Sequence, residues 1–192
     1  MLISDAYRSE QEQLHETGNY GTASIGYAPM VSQIINRMQI THLLDYGCGH
    51  LCNLAKHLKA DHKVTYQAYD PGVPRFAKTP LPAQMVACID VLEHIEPDCL
   101  DQVLDHIASL AEGVAFLSIH TGPALKVLSD GRNAHLIQQP MMWWLPKIWD
   151  RFELQTVQAT SEHGFYIVAL AKVRLDSGNG ELLVRQMEAG VE

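Results

Sequence analysis

One segment constrains this chain more than any other. Thr41-His42-Leu43-Leu44-Asp45-Tyr46 is short and apolar and reads as a buried strand, and it runs directly into Gly47-Cys48-Gly49. Leu51, Leu54, Ala55 and Leu58 then restore a helical period. Strand, glycine turn and helix in that order commit the chain to an α/β arrangement. The turn lies at the strand's carboxyl end, where glycines let a ligand come close to the backbone.

The rest of the pattern alternates in the same way. Pro29 reads as a helix start, with Val31, Ile34, Ile35 and Met38 on one face. Residues 64–69 read as a second strand, ending at Asp70-Pro71-Gly72, and Pro71, Pro74, Pro80 and Pro82 make the following stretch a loop. Residues 85–91 read as a strand. A helix follows with Leu100, Val103, Leu104, Ile107 and Leu110 inward and Gly113 at its end. Residues 114–119 are the next strand. Residues 121–151 hold a short helix, a polar loop and an aromatic segment around Pro146. The last two strands, 153–159 and 165–173, have only a turn near Gly164 between them, so they form an antiparallel hairpin. The alternation predicts a mostly parallel sheet with helices on both faces. Residues 1–27 read as a polar lead-in or lid segment rather than a core element, 28–175 as the domain, and 176–192 as a loose polar tail.

Composition narrows the function. Of 192 residues, 47% are apolar and 19% charged, a globular balance. Fourteen basic against 22 acidic residues give −8, which disfavours broad contact with nucleic-acid phosphates. No apolar run approaches the roughly 18–20 residues that cross a bilayer. A polar N-terminus without a signal pattern, and four cysteines without paired spacing, point to a reducing cytoplasm.

The glycine turn carries the chemistry. Backbone N–H groups at the following helix start can meet a carboxylate or phosphate. Asp45 can accept from an ammonium group. Asp70, at the end of the neighbouring strand, can accept from both hydroxyls of a ribose. In this order the features indicate an adenosine-containing ligand at the carboxyl edge of the sheet.

These residues resemble a known family. Leu43-Leu44-Asp45-Tyr46-Gly47-Cys48-Gly49, Tyr69-Asp70-Pro71 and Cys88-Ile89-Asp90-Val91-Leu92-Glu93-His94-Ile95 are similar to segments of class I S-adenosylmethionine-dependent methyltransferases of the small-molecule type. The terminal hairpin matches too, and the resemblance spans residues 29–173. Asp130-Gly131-Arg132-Asn133-Ala134-His135-Leu136 further resembles short methyltransferase-like proteins of phages and bacteria. The resemblance implies a Rossmann-like, seven-stranded, mostly parallel sheet. It implies S-adenosylmethionine as cofactor, with S-adenosylhomocysteine as product. By position, Asp45, Gly47 and Gly49 would hold its methionine end. Asp70 would bind the ribose, with Pro71 near the adenine, and Asp90 and Val91 would form the floor beside the methyl group. Tyr20 and Gly21 would fold over the methionine moiety. Two departures stand out. Leu51 replaces a customary third glycine and could crowd the amino-acid end. The thirteen residues 71–83 are too few for the usual helix and third strand, so that strand is trimmed or missing. The acidic residue that often contacts the adenine amino group therefore has no place.

Other residues leave two readings open. Asp90, Glu93 and His94 form Asp-x-x-Glu-His, which is either a divalent-metal set, as in ubiquinone-type O-methyltransferases, or a turn beside the cofactor. His120 ends a strand near the expected methyl acceptor. With His135 it is the candidate proton acceptor; a satisfied strand-edge histidine is the alternative. Arg132, with Asn133 beside it, either holds an anionic substrate group or makes a surface ion pair. Trp143 and Trp144 either cover the substrate pocket or serve as core or homodimer contact. Cys48 and Cys52 read as packing. The expected reaction is methyl transfer to an oxygen or nitrogen of a small polar molecule. A catalytically silent cofactor-binding protein, and modification of a nucleotide or phage nucleobase, remain alternatives. A nicotinamide dehydrogenase lacks its third turn glycine here.

Overall fold

The computed structural model describes residues 1–16 and 22–172. The expected positions Tyr20 and Gly21 and the 176–192 tail lie outside the described residues. The strands are β1 (His42–Tyr46), β2 (Thr65–Tyr69), β3 (Ala83–Ile89), β4 (Ala111–His120), β5 (Phe152–Ser161) and β6 (Gly164–Ala171). The helices are α1 (Asp5–Glu16), α2 (Ala23–Met38), α3 (Asn53–His57), α4 (Leu100–Leu110) and α5 (Met141–Trp149).

Among the described residues the sheet has six strands, in the order β2-β1-β3-β4-β6-β5. The first four are parallel; β6 runs antiparallel to both β4 and β5. The chain therefore shows the α/β architecture with a closing antiparallel hairpin, and the trimmed third strand is absent altogether. Residues 71–83 hold one 3-10 turn, Pro74–Phe76. The side chain of Gln67 on β2 takes the place of a neighbouring strand there. Its amide donates to the Leu81 carbonyl at 2.9 Å and accepts from the Leu81 N–H at 3.0 Å.

Side chains alternate along the strands and so divide the core into two layers. Leu43, Met85, Ala87 and Phe116 pack with Ala28, Val31 and Ile35 of α2 and Leu54 of α3. Leu44, Val86, Cys88 and Leu117 pack with Val103, Leu104 and Ile107 of α4 and Trp144 and Ile148 of α5. The i, i+3, i+4, i+7 spacing in α4 buries one full face, worth roughly 1.5–3 kcal/mol per large aliphatic side chain.

Three boundaries differ from expectation. The 1–27 segment is not a mere lead-in. Asp5–Glu16 is helical, and Ile3 and Tyr7 are buried in a small cluster with Leu128 and Ala134. Helix α2 begins at Ala23, six residues before Pro29, which sits inside it. Proline withholds one backbone donor there, and the packed face of Ala28, Val31 and Ile35 sustains the helix regardless. Gly113 does not end a helix. It lies in β4, where any Cβ would stand 2.9 Å from the Gln84 carbonyl oxygen, so its place reflects close strand approach.

Candidate functional site

In the order β2-β1-β3, the connections leave β1 in opposite directions. This is the switch point at which open α/β sheets form a crevice beyond the strand ends. A cavity occupies that place. Its walls are Asp45 to Gly49 after β1, Asp70 to Gly72 after β2, and Ile89 to Val91 after β3. Ala23 and Ser24 from the first turn of α2 add to it, as do His94, Ile95 and Val103. Leu2, Ile3, Tyr7 and Gln11 close it from the α1 side.

The glycine turn is held by its own amides. Gly47 and Cys48 donate to the Tyr69 carbonyl at 2.7 and 3.1 Å, and Gly49 donates to Asp70 Oδ2 at 2.9 Å. Gly47 has φ +80°, and a Cβ there would meet Val91 Cγ2 at 2.3 Å. Only glycine fits both demands. Helix α3 is a short segment that starts at Asn53, after Cys52 at φ 45°. The helix N-terminus expected beside the turn is therefore not built. The long helix that reaches the cavity with its N-terminus is α2. It carries no acidic residue in its first turn and no side-chain cap on Thr22.

Three carboxylates face the cavity: Asp45, Asp70 and Asp90. No lysine or arginine does among its described lining residues. Asp45 is buried, accepts from the Tyr66 hydroxyl at 2.5 Å, and has its carboxyl pushed up to about 7. Burial is the main cause and the neighbouring Asp70 adds to it, while the Tyr66 bond opposes both. Asp70 accepts from Gly49 through one oxygen and from Gly72 through the other, each at 2.9 Å. Asp90 sits at φ 58°, at the sharp exit from β3, with its N–H on Ser118.

No known protein-family model matches this chain, and no curated protein sequence does. Solved structures do. It is similar to the Burkholderia thailandensis 1,6-didemethyltoxoflavin-N1-methyltransferase, crystallised with 1,6-didemethyltoxoflavin and S-adenosylhomocysteine. The TM-score is 0.61 at 16% identity, over 86% of this chain and 87% of that one. It is similar to the magnesium protoporphyrin IX methyltransferase of Synechocystis PCC 6803 with bound S-adenosylmethionine, with TM-score 0.57 at 16% identity, over 86% and 93% of the two chains. The chain has the class I methyltransferase fold.

Within that fold, Asp45, Gly47, Gly49, Asp70, Pro71, Asp90 and Val91 converge on one cavity, as the sequence positions require. Leu51 is half-buried and is absent from the lining, so it does not plug the space.

The expected substrate and metal residues are placed differently. Trp144 is fully buried in the core, with its indole N–H on the Gln139 carbonyl, and Trp143 packs edge-on against it. Neither lines the cavity, because adjacent helix positions here turn into the core and across it. Arg132 spends its Nε on Asp130 Oδ2 at 2.6 Å; its backbone N–H first, and then this pairing, hold the Asp130 carboxyl below the usual range. Asn133 staples its own loop, accepting from the Ala124 and His135 N–H groups and donating to the Ala124 carbonyl. The Asp90, Glu93, His94 metal set does not assemble. Glu93 turns inward to accept the His120 N–H at 2.5 Å, and no group of three or more metal-binding side chains forms among the described residues.

The histidines form a ring stack. His135 lies edge-on to His94 at 4.7 Å and tilted to His120 at 4.9 Å. Of the three, His94 reaches the cavity wall, not His120 or His135. Its Nδ1 lies 2.8 Å from the Ala134 carbonyl, which can only accept, so Nδ1 carries a proton. His135 makes the same bond to the Gly122 carbonyl at 2.7 Å, and burial lowers its pKa. In the sequence, His94 stood out only as part of the Asp-x-x-Glu-His pattern.

Proposed function

We propose that this protein is an S-adenosylmethionine-dependent methyltransferase acting on an oxygen or nitrogen of a small molecule. The observation that carries this reading is the charge of the cavity. Three carboxylates, with no lysine or arginine among the described lining residues, suit a ligand that brings an ammonium and a sulfonium. The residues fit the cofactor. The Gly47 turn tolerates no Cβ. Asp45 suits the ammonium, and the uncapped N-terminus of α2 at Ala23 and Ser24 suits the amino-acid carboxylate. Asp70, fixed at the end of β2 by the Gly49 and Gly72 N–H groups, suits the ribose hydroxyls.

A bound cofactor would supply an electrophilic methyl group for direct displacement, with its sulfur as the leaving group. The protein's work is alignment and exclusion of water. Asp90 and Val91 form the floor. Leu2, Ile3 and Tyr7 close the α1 side, anchored by the Tyr7 hydroxyl on the His94 carbonyl at 2.7 Å. Among the three histidines, His94 is the one placed at the cavity wall to take the proton of the acceptor group, with the His135 ring edge-on against it. An uncharged or cationic acceptor fits best, since no lysine or arginine stands among the described lining residues to meet an anionic group. A nucleotide phosphate fits this cavity poorly.

Calorimetry with S-adenosylmethionine, S-adenosylhomocysteine and NAD tests the reading. Binding of the first two and not of NAD is expected; the reverse would remove the proposal. A panel of small amines and phenols then tests transfer. His94→Ala should lower turnover about 10²-fold or more while S-adenosylhomocysteine still binds. Cofactor binding with no turnover across the panel would favour a silent binding protein.

A further inference from the structure

Gln11 is the polar side chain in the cavity that the fold does not use. It is 8% exposed, belongs to α1, and lines the cavity. Its Nε2 is buried and makes no hydrogen bond among the described residues. A buried amide donor left without a partner costs on the order of 1–3 kcal/mol, so its retention calls for a ligand.

The location names the part of the ligand. A Cβ on Gly72 would stand 2.8 Å from Gln11 Cβ, so the Gln11 stem lies directly on the Asp70-Pro71-Gly72 turn. Asp70 marks the ribose. The space past it, beside Pro71 and Gly72, is where the base must lie. This is also the side from which the third strand is missing, since residues 71–83 supply only a 3-10 turn. Helix α1 covers the Asp70-Pro71-Gly72 turn on this side through Gln11. Ser4 donates to Glu96 through its N–H at 2.8 Å and its hydroxyl at 2.7 Å, and Ser129 is tied to Glu10, so the helix is fixed at both ends of its first two turns.

We infer that Gln11 reads the adenine of the cofactor, replacing the contacts of the missing strand. A carboxamide matches adenine in two directions. Its N–H donates to a ring nitrogen while its carbonyl accepts from the exocyclic amino group. A site built for this pairing rejects a base that lacks the amino group. The inference rests on the cofactor reading of the cavity.

The test uses the full chain, wild type and Gln11→Leu, titrated with S-adenosylhomocysteine and S-inosylhomocysteine. The wild type should prefer the adenine compound by about tenfold or more. Gln11→Leu should weaken that binding about 5- to 30-fold and reduce the preference below about threefold. A purely structural Gln11 would shift both affinities together and leave their ratio unchanged, which overturns the inference but spares the cofactor reading. Wild-type protein that binds neither compound overturns both. Gln11→Glu keeps the shape and the acceptor but loses the donor; a wild-type ratio and affinity in that variant would also count against the assignment.

Discussion

The Tyr66 hydroxyl donates to the Asp45 carboxylate at 2.5 Å across the paired strands β2 and β1. The bond holds this buried acid of the cavity in place and favours its ionised form, and still burial and Asp70 keep its carboxyl at about 7. Asp45 is thus poised to lose a proton when a cation arrives.

The first prediction concerns pH. A ligand ammonium needs the ionised carboxylate, so S-adenosylhomocysteine should bind about tenfold more weakly at pH 6 than at pH 8, with proton release on binding at the lower pH. In the free protein the sign is opposite for stability. The folded state holds this proton more tightly than the unfolded chain, so the Asp45 contribution falls as pH rises from about 4 to about 7. Asp45→Asn should flatten the binding profile and gain stability over wild type at pH 8 more than at pH 5. Calorimetry and urea midpoints at both pH values check this.

Gly47 and Val91 make the second prediction. Gly47→Ala places a methyl group on Val91 at a left-handed φ, and should cost about 1–3 kcal/mol and abolish cofactor binding. Adding Val91→Ala removes the clash and leaves the φ strain, so stability should return only in part. Urea unfolding of the single and double variants measures both parts.

The third prediction concerns Glu93, fully buried with its pKa raised well above the usual carboxylate value by burial and then by Asp90. Burial favours its neutral form, so Glu93→Gln, neutral and of the same shape, should change stability by less than about 1 kcal/mol. Glu93→Ala leaves the His120 N–H without its acceptor and opens a cavity, and should cost about 2–5 kcal/mol. Equal losses in the two variants would show that Glu93 is ionised.

Much of the fold was legible because it is written in local periods. Alternation along β1, β3 and β4, and the 3.6-residue stripe of α4, say which side chains face the sheet before any partner is known. The turn from Asp45 to Gly49 was legible for the same reason, since its glycines answer a local backbone demand. Helix α1 and the first turn of α2 were not. Polar composition and Pro29 argue locally against helix there, and the segments are stabilised by what they pack on. The choice among His94, His120 and His135, the burial of Trp144, and the arrival of Gln11 over Gly72 all depend on residues far apart in the chain, such as Ser4 and Glu96. A one-dimensional pattern specifies which face of an element is apolar. Which distant element closes over the carboxyl edge of the sheet is settled by packing and buried hydrogen bonds that form only once the chain has folded.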